Sequence, residues 1–301
     1  MTSITDPSRI PALDERFYSL DAEELEFFKS QTGIDNDEQL KTHIVDVQAK
    51  AHEIHPYHCI RRFAFTKLKI SRLPAYSRVI EIGRERDDAI LLDVGCCFGN
   101  DVRKAAADGF PISNILALDL RPEFWELGHE LFKSSPDTFP VPFIGGDIFD
   151  PAILEVVSPD YRPMTQTLTP ALTSLTSLNP LRGRVSIIHA SSMFHLFDEK
   201  QQLHLARALG SLLSQQPGSV IFGVHGSMPE TGILPSAPNS HGQPLFCHNP
   251  DSWRALWDGG VFARESVCVE TELREVSRGD MAVITGPNAK FWVLIWSVTR
   301  I

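Results

Sequence analysis

One stretch constrains this chain more than any other: Leu91-Leu92-Asp93-Val94-Gly95-Cys96-Cys97-Phe98-Gly99-Asn100-Asp101. A short apolar run ends in an acid, passes a glycine-bearing turn and opens a helix. Such a run reads as a buried central strand. Strand, glycine turn and helix together are the layout by which a parallel sheet offers a nucleotide-type ligand its carboxyl edge. Gly95 is expected to permit the tight turn, and Gly99 the close approach of a ligand to the backbone. Two phosphate-binding signatures do not fit. Counting from Gly95, the second and third glycine positions of G-x-G-x-x-G hold Cys97 and Asn100, and no Gly-Lys-Ser/Thr follows. A nicotinamide oxidoreductase is therefore a poor match.

The surrounding pattern extends this unit. Apolar runs at 89–95, 114–120, 141–147, 184–190 and 219–226 read as strands. Between them, 100–108, 122–133 and 199–214 read as helices, the second opened by Pro122. A Pro-, Thr- and Ser-rich segment, 158–182, reads as a loop with a short helix. A Gly- and Pro-rich loop spans 226–250, a short helix surrounds Trp253, and SVCVETELREV with KFWVLIWSVTR reads as a closing β-hairpin. Alternating strands and helices imply a parallel sheet, to which the hairpin adds an antiparallel strand. Ahead of this unit, Ser19–Thr32 reads as a helix capped by Asp21 and stopped by Gly33, and Asp37–Ile54 as a second. Residues 58–86 interleave Arg61, Arg62, Lys67, Lys69, Arg72 and Arg78 with apolar positions, and read as a basic amphipathic helix. The expected division is an N-terminal helical lid, 1–80, and a ligand-binding domain, 81–301.

Composition narrows the partners. The 301 residues are 43% hydrophobic and 22% charged, with a net charge of −10. That balance opposes a nucleic-acid binder working by bulk phosphate neutralisation. No apolar run approaches the roughly 18 residues of a membrane span, and the start MTSITDPSRIPALDERF has no basic-then-apolar leader pattern. The five cysteines, Cys59, Cys96, Cys97, Cys247 and Cys268, are odd in number and lack metal-ligand spacing. The expectation is a reduced, cytoplasmic setting without disulfides or structural zinc. The acidic N-terminal helices are a candidate dimer contact.

Further acids fall at strand ends. Asp119 closes the second strand, where a carboxylate can accept both hydroxyls of a ribose. Asp147 closes the third and can accept an exocyclic amine, with Ile148 packing on the base. Cys96 in the turn, Leu120 beside Asp119, and His189 and Ala190 at the end of the fourth strand complete the expected ligand-binding set.

HPYHCIRRFAF (55–65), LLDVGCCFGNDVRK (91–104), ALDLRPEFWELGHELF (117–132), RGRVSIIHASSMFHLFDEKQQ (182–202) and GSVIFGVHG (218–226) together resemble the class I S-adenosylmethionine-dependent methyltransferases. More narrowly they resemble fungal secondary-metabolite enzymes acting on polyketide–terpenoid intermediates. The resemblance implies an α/β, Rossmann-like seven-stranded sheet of order 3-2-1-4-5-7-6 under an N-terminal helical lid. It implies S-adenosylmethionine as cofactor, held by Asp93, Gly95, Gly99, Asp119 and Asp147, with Tyr57 in a signature at the lid. It also implies that several members convert a carboxylic acid to its methyl ester. A small-molecule O-methyltransferase acting on a carboxylate is the expected function.

The acceptor's acidity decides what else is needed. A carboxylic acid, with a pKa of about 4, is ionised at neutral pH. A phenol, with a pKa of about 10, gains from a general base. His195, His189 and His225, near the ends of the fourth and fifth strands, are the catalytic candidates. The first alternative is a phenol or enol O-methyltransferase with His195 as base. The second is a non-methylating cofactor-binding protein or cyclase. Arg61 or Arg62 can pair a substrate carboxylate, and Trp253 and Trp257 share a helix face as core or pocket wall. No metal is expected, since Asp198 and Asp251 form no convincing carboxylate cluster.

Overall fold

The structure is a computed structural model and describes residues 12–157, 170–238, 244–276 and 290–301. The first residues of the chain, the first half of the 158–182 loop, the middle of the 226–250 loop and the turn of the closing hairpin lie outside the described residues.

Seven strands form one sheet in the order β3-β2-β1-β4-β5-β9-β8. They are β1 (Leu91–Val94), β2 (Ile115–Asp119), β3 (Phe143–Gly145), β4 (Ile187–His189), β5 (Val220–Ser227), β8 (Val267–Val276) and β9 (Phe291–Arg300). The first five pair in parallel, and β9 joins antiparallel to both β5 and β8. With its two last strands counted as the sixth and seventh of the sheet, the order is the expected 3-2-1-4-5-7-6. The intervening β6 (Gly232–Pro238) and β7 (Pro244–Cys247) make a separate two-stranded hairpin where the sequence reads as loop.

Side chains alternate across each strand, so the sheet has two distinct faces. Leu92, Val94, Ile188 and Ile221 join a core with α8 (Glu199–Leu212) and α9 (Pro250–Trp257), in which Trp253 and Trp257 are fully buried. Both tryptophans are therefore core. Leu91, Ile187 and Phe222 face the other way, against α4 (Tyr76–Glu85) and α5 (Asn100–Ala107). By the same alternation Asp93 and His189 belong to this second face, and His225 to the first.

The N-terminal helices form a third apolar cluster. α1 (Ala22–Thr32) starts at a reciprocal capping box between Asp21 and Glu24 and stops at Gly33. Such a cap is worth about 1 kcal/mol. α2 (Asp37–Ile54) has the expected limits. Phe27, Phe28, Leu40, Ile44 and Val47 pack on Phe98, Phe124 and Phe132, which lie beside or within α6 (Pro122–Leu131). Phe28 stacks on Phe132 with centroids 5.3 Å apart.

The basic stretch 58–86 is not one helix. It breaks into α3 (His58–Arg61), two single 3₁₀ turns and α4. Phe63 takes a left-handed φ of 54° at the first break, and Pro74 precedes α4. Arg78 pairs within α4, with Glu81 and Glu85, but other cations of the stretch reach partners distant in sequence. Lys67 and Arg72 both reach Glu24, at 2.7 and 3.0 Å, and that carboxylate is fully buried. The Arg61 guanidinium lies over the Phe17 ring.

Candidate functional site

The carboxyl ends of β1 and β4 meet beneath the segment that follows α3. A cleft there is lined by Phe65, Lys69, Asp93, Gly95, Asp101 and His189, among others. Register alone sets Asp93 beside His189 on neighbouring parallel strands. The His189 ring bridges two groups: Nδ1 lies 2.8 Å from Asp93 Oδ1, and Nε2 lies 2.7 Å from Ser191 Oγ. A carboxylate accepts only, so Nδ1 carries the proton and donates to Asp93, and Nε2 accepts from the Ser191 hydroxyl. Burial disfavours the imidazolium, but the Asp93 charge and hydrogen bond, with Asp101 behind them, outweigh it and raise the ring's pKa above its ordinary value.

The second oxygen of Asp93, Oδ2, is buried and has no hydrogen-bond partner among the described residues. A buried acceptor left unmade is costly, and a ligand's ammonium would satisfy it. Asp101 Oδ1 accepts the Ile70 N–H at 2.9 Å. Asp93, Asp101 and His189 also place their ligand atoms within 4.8 Å of one another, a metal-compatible grouping that the sequence reading did not identify. Both ring nitrogens of His189 are already engaged, so a cation at this point would have to displace one of those contacts.

Around the turn, Gly95 and Gly99 take left-handed φ values of 75° and 74°. A Cβ on Gly99 would lie 2.7 Å from the Trp125 ring. The close approach expected there for a ligand is thus made by the protein's own core, and Gly99 serves packing. Cys97 stands where a glycine-rich turn would carry its middle glycine, and it adopts that glycine's conformation with φ 52°. The Gly95 and Cys96 amides both donate to the Leu118 carbonyl, which fastens the turn to β2.

Asp119 has a double role. Its carboxylate accepts the Cys97 N–H at 2.8 Å and the Arg121 N–H at 3.0 Å. Each oxygen keeps a second lone pair for a ligand hydroxyl. Burial pushes its pKa up despite those two donors. Leu120 beside it is 52% exposed, an open apolar surface suited to a flat base. Arg121 ties this corner to the N-terminal region, since its guanidinium reaches Tyr57 Oη at 3.4 Å and His55 Nδ1 at 3.3 Å. Arg121 was not singled out from the sequence, where nothing marks it apart from other surface arginines.

Of the next two expected ligand contacts, one is placed differently. Asp147 is exposed, with its Oδ1 accepting the Phe149 N–H in a local turn and its other oxygen without a hydrogen bond among the described residues. The Ile148 side chain is 4% exposed within the core, so its role is packing and it does not present a face to a base. Ala190 is wholly buried beside β5.

Of the other two candidate histidines, His225 lies on the opposite face, whereas His195 lies beyond the end of β4 against Gly226, on the side of the sheet that Phe222 and Val224 face. His225 Nδ1 accepts the Trp296 indole N–H at 2.9 Å, and the ring sits among Phe194, Trp253 and Trp296. Burial drives its pKa well below the ordinary value. His225 is a neutral core group and is not placed as an acceptor's base. His195 is half-buried, in the 3₁₀ turn after β4, and its Nδ1 accepts the Gly226 N–H at 3.4 Å. That contact puts the proton on Nε2, the tautomer that donates.

Residues 14–66 match the family model described as "Meroterpenoid methyltransferase N-terminal domain". The chain is similar to O-methyltransferase phiE of a fungal species, with 30% identity over 233 residues, covering 77% of this chain and 69% of that protein. It is 31% identical over 221 residues to methyltransferase adrK of Penicillium roqueforti, covering 73% and 70%. It is 27% identical over 264 residues to methyltransferase ausD of Penicillium brasilianum, covering 88% and 84%.

Proposed function

This chain belongs to the fungal meroterpenoid family of S-adenosylmethionine-dependent methyltransferases, and on that premise we propose that it methylates an oxygen of a bulky apolar polyketide or terpenoid intermediate, with a carboxylate as acceptor and a methyl ester as product. One observation carries the donor half of this reading. Asp93 with its unpartnered buried oxygen, Asp119 with lone pairs to spare, and exposed Leu120 all lie at the carboxyl ends of the neighbouring strands β1 and β2. Those groups match the ammonium, ribose and base of an adenosyl amino acid.

The bound donor supplies an electrophilic methyl on a sulfonium. The chain's own task is to hold the two reactants in line and keep water out. Asp93 takes the donor's ammonium and Asp119 its ribose hydroxyls, while Tyr57 and Arg121 close the corner beside Leu120. A carboxylate acceptor arrives ionised and needs no base. His195, in its Nε2–H tautomer, is suited to donate to such an oxygen, which supports the ester reading over its use as a base.

A second reading rests on the chain Asp93–His189–Ser191. His189 Nε2 is the ring nitrogen that already accepts a hydroxyl proton. A phenol or enol acceptor would pass its proton there through Ser191, so the base for that chemistry is His189 where the sequence suggested His195.

The test uses methyl-labelled S-adenosylmethionine with a panel of fungal aryl and terpenoid acids and phenols, followed by mild base. Label released as methanol is the expected result. Label retained as an ether overturns the ester reading in favour of the second. Donor binding without transfer to any acceptor of either class would move the chain to a non-methylating role.

A further inference from the structure

Within the segment between α3 and α4, the two lysines of Lys67-Leu68-Lys69 have different surroundings. Lys67 is committed: its ammonium pairs with Glu24 at 2.7 Å and also donates to the Ser19 carbonyl. Leu68 is buried in the N-terminal cluster. Lys69 lines the cleft and makes no hydrogen bond or ion pair among the described residues. Its position is not accidental slack. The Lys67–Glu24 pair anchors the chain on one side of Lys69, and the Ile70 N–H to Asp101 anchors it on the other.

Among the described residues, the cleft therefore holds two buried or half-buried carboxylates, Asp93 and Asp101, and one uncommitted cation. Lys69 lines the same cleft as Asp101 and His189. A ligand that presented only an ammonium would satisfy Asp93 Oδ2 and leave Lys69 without a hydrogen-bonded partner. A ligand that presented only a carboxylate would do the reverse, against two acids. An α-amino acid group complements both, with its ammonium to Asp93 and its carboxylate to Lys69.

We propose that Lys69 is the binding residue for the carboxylate of the donor's amino acid end. This rests on the donor assignment above and adds to it the residue that distinguishes the intact zwitterion from its decarboxylated form. It also explains why the segment is pinned at Glu24 and Asp101: a single flexible lysine recognises a carboxylate well only when its backbone is fixed.

The test is a binding cycle by calorimetry, without turnover. Wild type and Lys69→Met are each titrated with S-adenosylhomocysteine and with its decarboxylated analogue. The expected result is that Lys69→Met weakens S-adenosylhomocysteine about 10- to 100-fold, the range for a hydrogen bond to a charged group. Binding of the analogue should change less than about 2-fold, which also shows that the variant is folded. Wild type should itself prefer S-adenosylhomocysteine over the analogue by the factor that the substitution removes, and Lys69→Arg should restore part of it. Equal weakening of both ligands overturns the proposal, as does wild-type binding that ignores the carboxylate. So does binding of both ligands that Lys69→Met leaves unchanged, which would remove the cation from the donor site. Wild type that binds neither ligand would instead sink the donor assignment on which this rests.

Discussion

Each face of the sheet buries a histidine near the carboxyl edge, and the two rings are handled in opposite ways. His189 donates its Nδ1–H to a carboxylate, whose charge and hydrogen bond raise the ring's pKa against burial. His225 accepts an indole N–H at Nδ1, and burial lowers its pKa far below the usual value. One side is a charged cleft with an unsatisfied oxygen and an uncommitted lysine. The other is an aromatic core built from Phe194, Trp253, Trp257 and Trp296. The same residue type at the same edge is thus ligand-facing machinery in one place and packing in the other. What separates them is the face of the sheet onto which strand alternation puts each ring, and with it the partner at Nδ1.

The largest test of this contrast removes those partners. Asp93→Ala strands a buried imidazole beside Asp101 and is expected to cost about 3 kcal/mol or more of stability, with loss of donor binding. His225→Phe removes one neutral hydrogen bond and leaves the Trp296 N–H unmet, at about 1–2 kcal/mol, with donor binding kept. Urea unfolding of the ligand-free variants measures both. Equal costs, or donor binding lost in His225→Phe, would dissolve the distinction.

A smaller effect sharpens the contrast through pH. The raised pKa of His189 means that its contribution is complete below about pH 6.5 and is lost as pH rises through the folded value. His225 has a value lowered far below the ordinary one by burial. Its neutral form favours the fold above about pH 6.5, and that advantage fades as pH falls toward the folded value. His189→Gln should therefore flatten the alkaline side of the stability profile, and His225→Gln the acid side. Urea midpoints between pH 5 and 9 show this. If both substitutions flatten the same side, the two rings do not differ as described.

Local signals in the sequence account for much of this. Asp21 and Gly33 bound α1 because caps are read within a few residues. The apolar runs become β1 to β5 because a buried parallel strand needs no partner to be recognised. Asp93 and Asp119 follow from their strand ends. Failures begin where the cause is distant. The basic run 58–86 reads as one helix, yet Lys67 and Arg72 answer to Glu24, 43 residues from the first of them. Gly232, Pro235 and Pro238 disguise β6 as loop. Lys69 looks like any surface lysine until Asp93 and Asp101 are seen around it. The tautomer of His225 is set by Trp296, 71 residues away.

The smallest effect concerns the turn that joins the cleft to β2. Cys97 holds φ 52° between Gly95 and Gly99, a conformation that costs an L-residue roughly 1–2 kcal/mol. Glycine there escapes that cost but loses about 0.5–1 kcal/mol of chain entropy on folding, and the thiol's partial packing on the N-terminal cluster is also lost. Cys97→Gly should thus stabilise by about 0.5 kcal/mol, a rise in Tm of about 1–2 °C for a chain of this size. Cys97→Ala keeps the strained backbone while losing the same thiol, so it should lower the Tm. The backbone N–H to Asp119 survives in both variants, and neither touches the carboxylates of the cleft. Opposite signs for the two substitutions would locate the strain in the backbone. Shifts of the same sign and size would mean that the thiol's packing, not its left-handed backbone, decides stability at this turn.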